Sequence, residues 1–257
     1  FLLCPLVHAQ NGVQISRNIE YLRLENQPLH FDLMRPAKLP QNPLPVVLFF
    51  GGGTWKTPSR KPNFACEELA RRGFAVAIVG FRGREVARFP APLDDARALV
   101  RFLKTRAKNY SLDANKIGAF GVSTGGTLAA LLGFTGSSVS ALCLESAPTD
   151  LGSLNAGSRV KWDGILAGFA GEKAGFERAS PLFWADEDAP PTLLLHGDSD
   201  DFVAPAQSEK LFQKLKKAGA RVRYLVFEGE THGLKTARKD ADDAVVKFFV
   251  ETLGARR

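Results

Sequence analysis

GVSTG, residues Gly121–Gly125, lies directly between a strand predicted over Lys116–Phe120 and a helix predicted over Thr124–Gly133. A serine on so tight a strand-to-helix turn is held in a strained backbone conformation with its hydroxyl projecting, and its flanking positions must be glycine because side chains would clash there. The N-terminus of the helix also directs a partial positive charge toward the hydroxyl. On its own the pentapeptide is compatible with a glycine-rich turn and an incidental serine, but its context predicts Ser123 as a nucleophile.

The segments on either side of this turn alternate between short apolar runs and amphipathic runs. The predicted strands are Ile15–Leu24, Pro28–Met34, Val46–Phe50, Phe74–Phe81, Lys116–Phe120, Val139–Leu144, Thr192–His196 and Arg221–Phe227. The predicted helices are Asn63–Arg72, Asp94–Lys108, Thr124–Gly133, Ala206–Ala218 and Thr236–Leu253. Because parallel strands need crossover connections, this alternation predicts an α/β fold: a mostly parallel sheet with helices on both faces, preceded by an antiparallel hairpin.

Composition and charge exclude several classes of protein. Of the 257 residues, 45% are hydrophobic and 24% are charged, which is ordinary for a globular domain and unlike a disordered chain or a membrane bundle. The net charge is +7, but the basic residues are scattered and no basic run is interleaved with aromatic residues, so we expect no nucleic-acid partner. We expect residues 10–257 to form one domain.

The N-terminal segment, residues 1–9, is apolar and resembles the end of a secretory signal peptide. The alternative is an irregular apolar tail that packs on the domain. No other segment approaches the roughly 20 apolar residues that cross a bilayer. We therefore expect a secreted or periplasmic protein without a membrane partner.

The three cysteines, Cys4, Cys66 and Cys143, are odd in number and show no C-x-x-C spacing. They predict neither a zinc site nor a disulfide framework, and we expect Cys66 and Cys143 to pack in the core. The sequence also lacks an H-E-x-x-H motif, and the histidines lack ligand spacing. No metal or cofactor is expected.

A serine hydroxyl needs a base within hydrogen-bonding reach, most often a histidine held by a carboxylate. His8 lies in the apolar N-terminal segment and His30 lies in the predicted hairpin. His196 ends a predicted strand, and we expect it to shape the following turn through local hydrogen bonds. His232 lies in the loop between the last strand and the last helix, from which it can reach Ser123. His232 is therefore predicted as the general base.

Three aspartates compete to orient this histidine, because Asp198, Asp200 and Asp201 all lie in the turn after the strand Thr192–His196. Spacing from the end of the strand favours Asp200. The other two are expected to be solvated or to cap the turn. The resulting chain order of serine, aspartate and histidine differs from the orders in chymotrypsin and subtilisin.

Backbone N–H groups that could bind a developing oxyanion come from Gly51–Gly53, directly after the strand Val46–Phe50. Without side chains, these positions allow a substrate oxygen to approach closely. A phosphate site is not indicated, because neither the Lys-Ser/Thr of a P-loop nor a G-x-G-x-x-G follows. The chemistry indicated is acyl transfer.

With these motifs, the chain resembles the esterase and lipase group of the α/β-hydrolase superfamily, especially the small bacterial branch related to hormone-sensitive lipase and to xylan-acting acetyl and feruloyl esterases. The resemblance covers Pro45 to the C-terminus. Four segments carry it: Phe50–Trp55, Gly121–Gly126, His196–Val203 and Gly229–Gly233.

The resemblance implies roles at matching positions. The triad is Ser123, Asp200 and His232; the oxyanion hole comprises the N–H groups of Gly52, Gly53 and Thr124; and substrate binding is assigned to Trp55. The family loop usually begins H-G-G-G, whereas here Phe50 replaces the histidine that helps to fix the loop. We expect the hole to survive with different support.

The implied function is cofactor-free hydrolysis of short-chain acyl, acetyl or feruloyl esters, carried by small molecules or by plant polysaccharide. One alternative is a peptidase related to prolyl oligopeptidases, although those usually carry a large β-propeller for which this chain has no room. Another is a catalytically silent α/β-hydrolase fold that only binds a ligand; such proteins usually lack a triad member, and none is missing here.

Residues 149–189 separate two predicted strands by more residues than a simple crossover needs, and we predict a small cap over the cleft. Its aromatic side chains could line the cleft or form a separate small core, and the sequence favours neither. These residues are Trp162, Phe169, Phe176, Phe183 and Trp184.

Overall fold

A nine-stranded sheet runs through the residues that the computed structural model describes, which are 7–10, 12–25, 27–58, 60–136 and 139–254. The strands are β1 Val7–Gln10, β2 Val13–Leu24, β3 Gln27–Pro36, β4 Leu44–Phe50, β5 Ala75–Val79, β6 Leu112–Val122, β7 Ala141–Glu145, β8 Thr192–Gly197 and β9 Val222–Phe227. The helices are α1 Phe64–Arg71, α2 Ala91–Tyr110, α3 Thr124–Phe134, α4 Asp163–Ala170, α5 Lys173–Arg178, α6 Pro181–Trp184, α7 Ala206–Lys217 and α8 Arg238–Leu253.

The strands lie in the order β1-β2-β3-β5-β4-β6-β7-β8-β9. Pairing is antiparallel from β1 through β3 to β5, and parallel across the remaining strands from β5 to β9. The predicted hairpin is the β2–β3 pair. The predicted α/β class with a mostly parallel sheet is therefore confirmed.

Both faces of the parallel region are covered, which explains why its strands are continuous apolar runs. Every residue of β4, β5, β7 and β8 is buried. On one face, α2, α3 and α7 contribute Leu99, Leu128 and Leu211 to a common core. On the other face, α1 and α8 contribute Leu69 and Phe249. The carboxyl ends of the parallel strands remain open at one edge of the sheet, where α/β folds place their ligands.

Cys66 lies in α1 and Cys143 lies in β7, and both are buried free thiols, as their apolar surroundings in the sequence predicted. Burial raises the pKa of each thiol. Because the thiolate is the reactive form, these side chains serve packing.

The predicted N-terminal signal segment lies partly outside the described residues, which exclude 1–6 and therefore Cys4. Its remainder contributes to β1, and Val7–Gln10 pairs antiparallel with the start of β2. The division between residues 1–9 and a domain over 10–257 stays a prediction. Among the described residues, no helix is long and apolar enough to cross a membrane.

Residues 149–189, called the cap segment below, contain a short 3-10 turn at Leu151–Ser153 followed by α4, α5 and α6. Trp162 and Phe169 are fully buried, so for these two aromatic residues the structure favours the small-core interpretation. The rings of Phe183 and Trp184 contact each other, with centroids 5.3 Å apart, and both side chains are substantially exposed.

Candidate active site

The turn that carries Ser123 joins the end of β6 to the start of α3. Ser123 has φ 54° and ψ −128°, a left-handed conformation that costs energy for a residue with a side chain. A Cβ added at Gly125 would lie 2.2 Å from the carbonyl oxygen of Phe50, and one added at Gly121 would lie 2.4 Å from the carbonyl oxygen of Gly125. Both flanking glycines are therefore required by close backbone contacts, as the motif predicted.

His232 lies between Ser123 and Asp200 in a continuous series of hydrogen bonds. Its Nε2 is 2.9 Å from Ser123 Oγ, and its Nδ1 is 2.8 Å from Asp200 Oδ2. A carboxylate only accepts hydrogen bonds, so Nδ1 carries the proton and Nε2 is free to accept one from the serine hydroxyl. Asp200 is fully buried, whereas the His232 side chain is 27% exposed. This geometry suits proton transfer between Ser123 and His232.

Each of the three aspartates in the turn after β8 has a different interaction partner. Asp198 Oδ1 accepts a hydrogen bond from the Gly229 N–H, 2.8 Å away. Asp201 is exposed and forms an ion pair with Arg159, 2.8 Å away. Of the three, Asp200 is the one whose carboxylate meets the imidazole of the site. The choice of Asp200 from its spacing thus agrees with the contacts.

Asp200 is held in its ionised form. Burial opposes the charge, but hydrogen bonds from His196, from His232 and from the Val203 N–H outweigh it and lower the pKa of Asp200 below its usual range. A carboxyl whose pKa is lower in the folded protein contributes stability above its unfolded pKa of about 4, and that stability is lost as the pH falls through the lowered value. At neutral pH the carboxylate is therefore fully available to orient His232.

The predicted oxyanion donors lie beside Ser123. A Cβ added at Gly52 would be 3.0 Å from Ser123 Cβ and 3.7 Å from Ser123 Oγ, so the backbone of this loop passes close to the serine. Thr124 is the first residue of α3, where N–H groups have no helical carbonyl to bind. Gly53 has φ 139°, which favours glycine. The assignment of these three N–H groups to an oxyanion hole stays a prediction.

Hydrogen bonds from two other segments support this loop. Arg84 Nε donates to the Thr54 carbonyl at 3.1 Å, and the Arg84 backbone N–H donates to the Trp55 carbonyl at 2.7 Å. The Trp55 N–H donates to Thr124 Oγ1 at 3.3 Å. Thr54 and Trp55 both have positive φ values, 53° and 56°, which such tethers help to maintain. These contacts hold the loop in place although the family's histidine is absent.

Trp55 lies outside the cleft, which corrects its assignment to substrate binding. Its side chain is 1% exposed. The ring stacks on Phe169, with centroids 4.6 Å apart and planes at 13°, and meets the edge of Trp162 at 6.0 Å. Trp55 thus packs the cap segment against the loop that follows β4, and its ring is not available to contact a substrate.

Phe50, which replaces the family's histidine, is fully buried, and its ring centroid lies 6.3 Å from that of Phe81. We expect Phe50→His to lower the free energy of unfolding by about 1–3 kcal/mol, because it buries a polar ring in an apolar site. We expect no gain in kcat. Urea unfolding and steady-state kinetics measure the two effects.

Phe50→Leu is the matched control, since it removes the aromatic ring without introducing a polar group. A Phe50→His variant that is as stable as Phe50→Leu would show that burial of the polar ring costs nothing here. One that raises kcat severalfold would show that the native loop is poorly organised.

The cleft above Ser123 has a volume of about 520 Å³ and contains side chains that the sequence analysis did not assign. The Phe202 ring lies 4.7 Å from the His232 ring, centroid to centroid. Glu145 and Arg238 also line the cleft and form a two-point ion pair at 2.7 and 3.0 Å. In the sequence, the only indication that Phe202 lies at the site was its position directly after the three aspartates. The ion pair joins residues 93 positions apart, and no local pattern could reveal it.

The BD-FAE family model matches residues 31–215, which is well over half of the chain. The chain belongs to the BD-FAE family. Esterase LipC of Mycobacterium tuberculosis is similar to this BD-FAE protein, with 25% identity over 225 residues that cover 79% of this chain and 56% of LipC. The chain spans between 56% and 58% of the length of the first three curated relatives it matches.

Solved structures resemble this BD-FAE protein over nearly its whole length. A thermophilic esterase from Thermogutta terrifontis has a TM-score of 0.80 at 24% identity, covering 96% of this chain and 95% of its own. An acetyl ester-xyloside bifunctional hydrolase from Caldicellulosiruptor lactoaceticus has a TM-score of 0.80 at 22% identity, covering 100% of both chains. The α/β-hydrolase fold and the resemblance to its esterase group are confirmed.

Proposed function

We propose that this BD-FAE protein is a serine carboxylic-ester hydrolase that acts through an acyl-enzyme on Ser123. The observation that carries the proposal is the hydrogen-bonded series from Ser123 Oγ through His232 to Asp200, with distances of 2.9 and 2.8 Å. A serine, a base and an orienting carboxylate in this arrangement are the requirements of nucleophilic acyl transfer. The match to an esterase of M. tuberculosis supports the same activity.

The reaction has two halves. Ser123 Oγ attacks the acyl carbon while His232 Nε2 takes its proton, and the tetrahedral intermediate collapses as His232 gives that proton to the departing alcohol oxygen. Water then attacks the acyl-enzyme with His232 again as base, and the acid leaves as Ser123 regains its proton. Asp200 stays ionised and holds the imidazolium that forms in each half.

The N–H groups of Gly52, Gly53 and Thr124 are proposed to stabilise the oxyanion in both halves. Each such donor contributes about 2.7–4 kcal/mol to the transition state in serine hydrolases. The support is their position: the loop passes beside Ser123, and Thr124 begins α3 directly after it. The left-handed turn at Ser123 brings these elements together.

We propose that the substrates are esters of short-chain acyl groups, or acetyl or feruloyl esters carried by plant polysaccharide. Support comes from the cleft of about 520 Å³, which opens to solvent beside His232, and from the similarity to an acetyl ester-xyloside hydrolase. An ester on a polymer would meet the enzyme outside the cell, which fits the secreted or periplasmic location that the N-terminal segment predicts.

A panel of esters tests this proposal. If short acyl groups are the substrates, kcat/KM should be highest for p-nitrophenyl acetate and fall by about tenfold or more for the octanoate, because added methylenes then lose complementarity to the site. Release of acetate from acetylated xylan, and of ferulate from methyl ferulate, identifies the natural acyl group. A dipeptidyl p-nitroanilide represents the peptidase alternative. Cleavage of the anilide without turnover of any ester would contradict the proposal.

A further inference from the structure

A second histidine contacts the acid of the proposed triad. His196 ends β8 and is fully buried. Its Nε2 lies 3.2 Å from Asp200 Oδ2 and 2.9 Å from the Val203 carbonyl oxygen. Its Nδ1 lies 2.7 Å from the hydroxyl of Ser208 on α7. The proton-transfer steps above assign no role to this imidazole.

The neighbours of His196 determine its tautomer. Nε2 faces two oxygens that only accept hydrogen bonds. It is hydrogen-bonded to the Val203 carbonyl at 2.9 Å and lies 3.2 Å from Oδ2 of the ionised Asp200, so Nε2 carries a proton. Ser208 can donate its hydroxyl proton to Nδ1. The neutral tautomer with Nε2–H therefore satisfies all three neighbours, and α7 holds it in place through Ser208.

The two oxygens of Asp200 have different partners. Oδ1 accepts the backbone N–H groups of Phe202 and Val203, each at 2.9 Å. Oδ2 is shared by two imidazoles, His232 at 2.8 Å and His196 at 3.2 Å. Contacts to both oxygens thus fix the orientation of the carboxylate. Without His196, the only imidazole beside Oδ2 would be that of His232, which takes and returns a proton in the proposed reaction.

We infer that His196 is a positioning residue, which holds Asp200 Oδ2 in line with His232 Nδ1 and shares the negative charge of that oxygen. The inference rests on the proposed function, because it assigns His196 an effect on the reaction through Asp200. Two ionisable groups contact the Asp200 carboxylate: His196 from β8 and His232 from the loop after β9. The neutral hydroxyl of Ser208, on α7, is hydrogen-bonded to His196. His196 itself exchanges no proton with substrate.

The test compares His196→Met with His196→Gln. The two side chains are similar in size and shape, but only glutamine can return an N–H donor to the place of Nε2. We expect His196→Met to lower kcat for p-nitrophenyl acetate by about 10- to 100-fold with little change in KM, the effect of one hydrogen bond to a charged group. His196→Gln should recover most of this loss. Steady-state kinetics on both variants measure it.

Two further readouts separate positioning from a loss of packing. Removal of the His196 donor leaves more of the Asp200 charge to stabilise the imidazolium of His232, so the acid limb of the kcat profile should move to higher pH in His196→Met. A double-mutant cycle should show strong coupling: in an Asp200→Asn background, His196→Met should cost little further activity.

Ser208→Ala keeps the test valid if His196→Met does not fold, because it removes only the hydroxyl that is hydrogen-bonded to Nδ1 and holds the ring in place. A severalfold lower kcat is expected. The inference is overturned if folded His196→Met and His196→Gln lose kcat equally with an unmoved acid limb, or if Ser208→Ala has full kcat. If the wild-type protein cleaves no ester, the proposed function has failed instead, and the two failures are distinguishable.

Discussion

Ser123→Ala is expected to lower kcat for p-nitrophenyl acetate by about 10⁶-fold, since loss of a serine nucleophile removes the whole acyl-enzyme route. Ser123 is 7% exposed, and its hydroxyl contacts His232. The alanine variant should fold normally, because alanine is smaller and the tight turn is maintained by the neighbouring glycines. Initial rates at high enzyme concentration measure the loss, and circular dichroism checks the fold.

Ser146→Ala is the matched control. Ser146 also follows a central strand, β7, has φ 48° and is fully buried, but its hydroxyl has no hydrogen-bond partner among the described residues. We expect this variant to keep kcat within about threefold, as is usual for a small change that breaks no interaction. Activity in Ser123→Ala within a hundredfold of the wild-type value would remove Ser123 from the mechanism.

Asp200→Asn should lower kcat by about 10⁴-fold, and the structure gives the reason. The Phe202 and Val203 N–H groups both require an acceptor at Oδ1, so the amide oxygen must occupy that position. The amide NH₂ then faces His232 Nδ1 and forces that nitrogen to accept a hydrogen bond. The proton moves to Nε2, and the imidazole can no longer take the proton of Ser123. Steady-state kinetics with p-nitrophenyl acetate provide the measurement.

Asp198→Asn and Asp201→Asn are the controls within the same turn. At position 198 an amide oxygen can still accept the Gly229 N–H, and at position 201 the side chain is exposed. Both should keep kcat within about threefold, because surface changes away from a network have small effects. A loss of several thousandfold in either control, with activity retained in Asp200→Asn, would assign the orienting role to a different carboxylate.

Much of the site could be predicted because its decisive features are local. The Ser123 turn needs glycines within two residues of the nucleophile, and the loop of His232 follows directly from the last strand. The cap segment was less predictable. Its aromatic residues are the same whether they line a cleft or form a core. Only the packing distinguishes the two: Trp162 and Phe169 are fully buried, and Phe169 stacks on Trp55.

The sequence by itself determined the alternation of strands and helices, the strained serine turn and the position of His232 after the last strand, since each depends on residues that are neighbours along the chain. Spacing favoured Asp200, but only the tertiary structure showed its contact with His232, the support of the loop after Phe50, and the approach of His196 to the same Asp200 oxygen. These contacts join separate segments, and the chain brings them to hydrogen-bonding distance only when the sheet and its covering helices pack together. Their distances and burial are set by that packing, which no local pattern encodes.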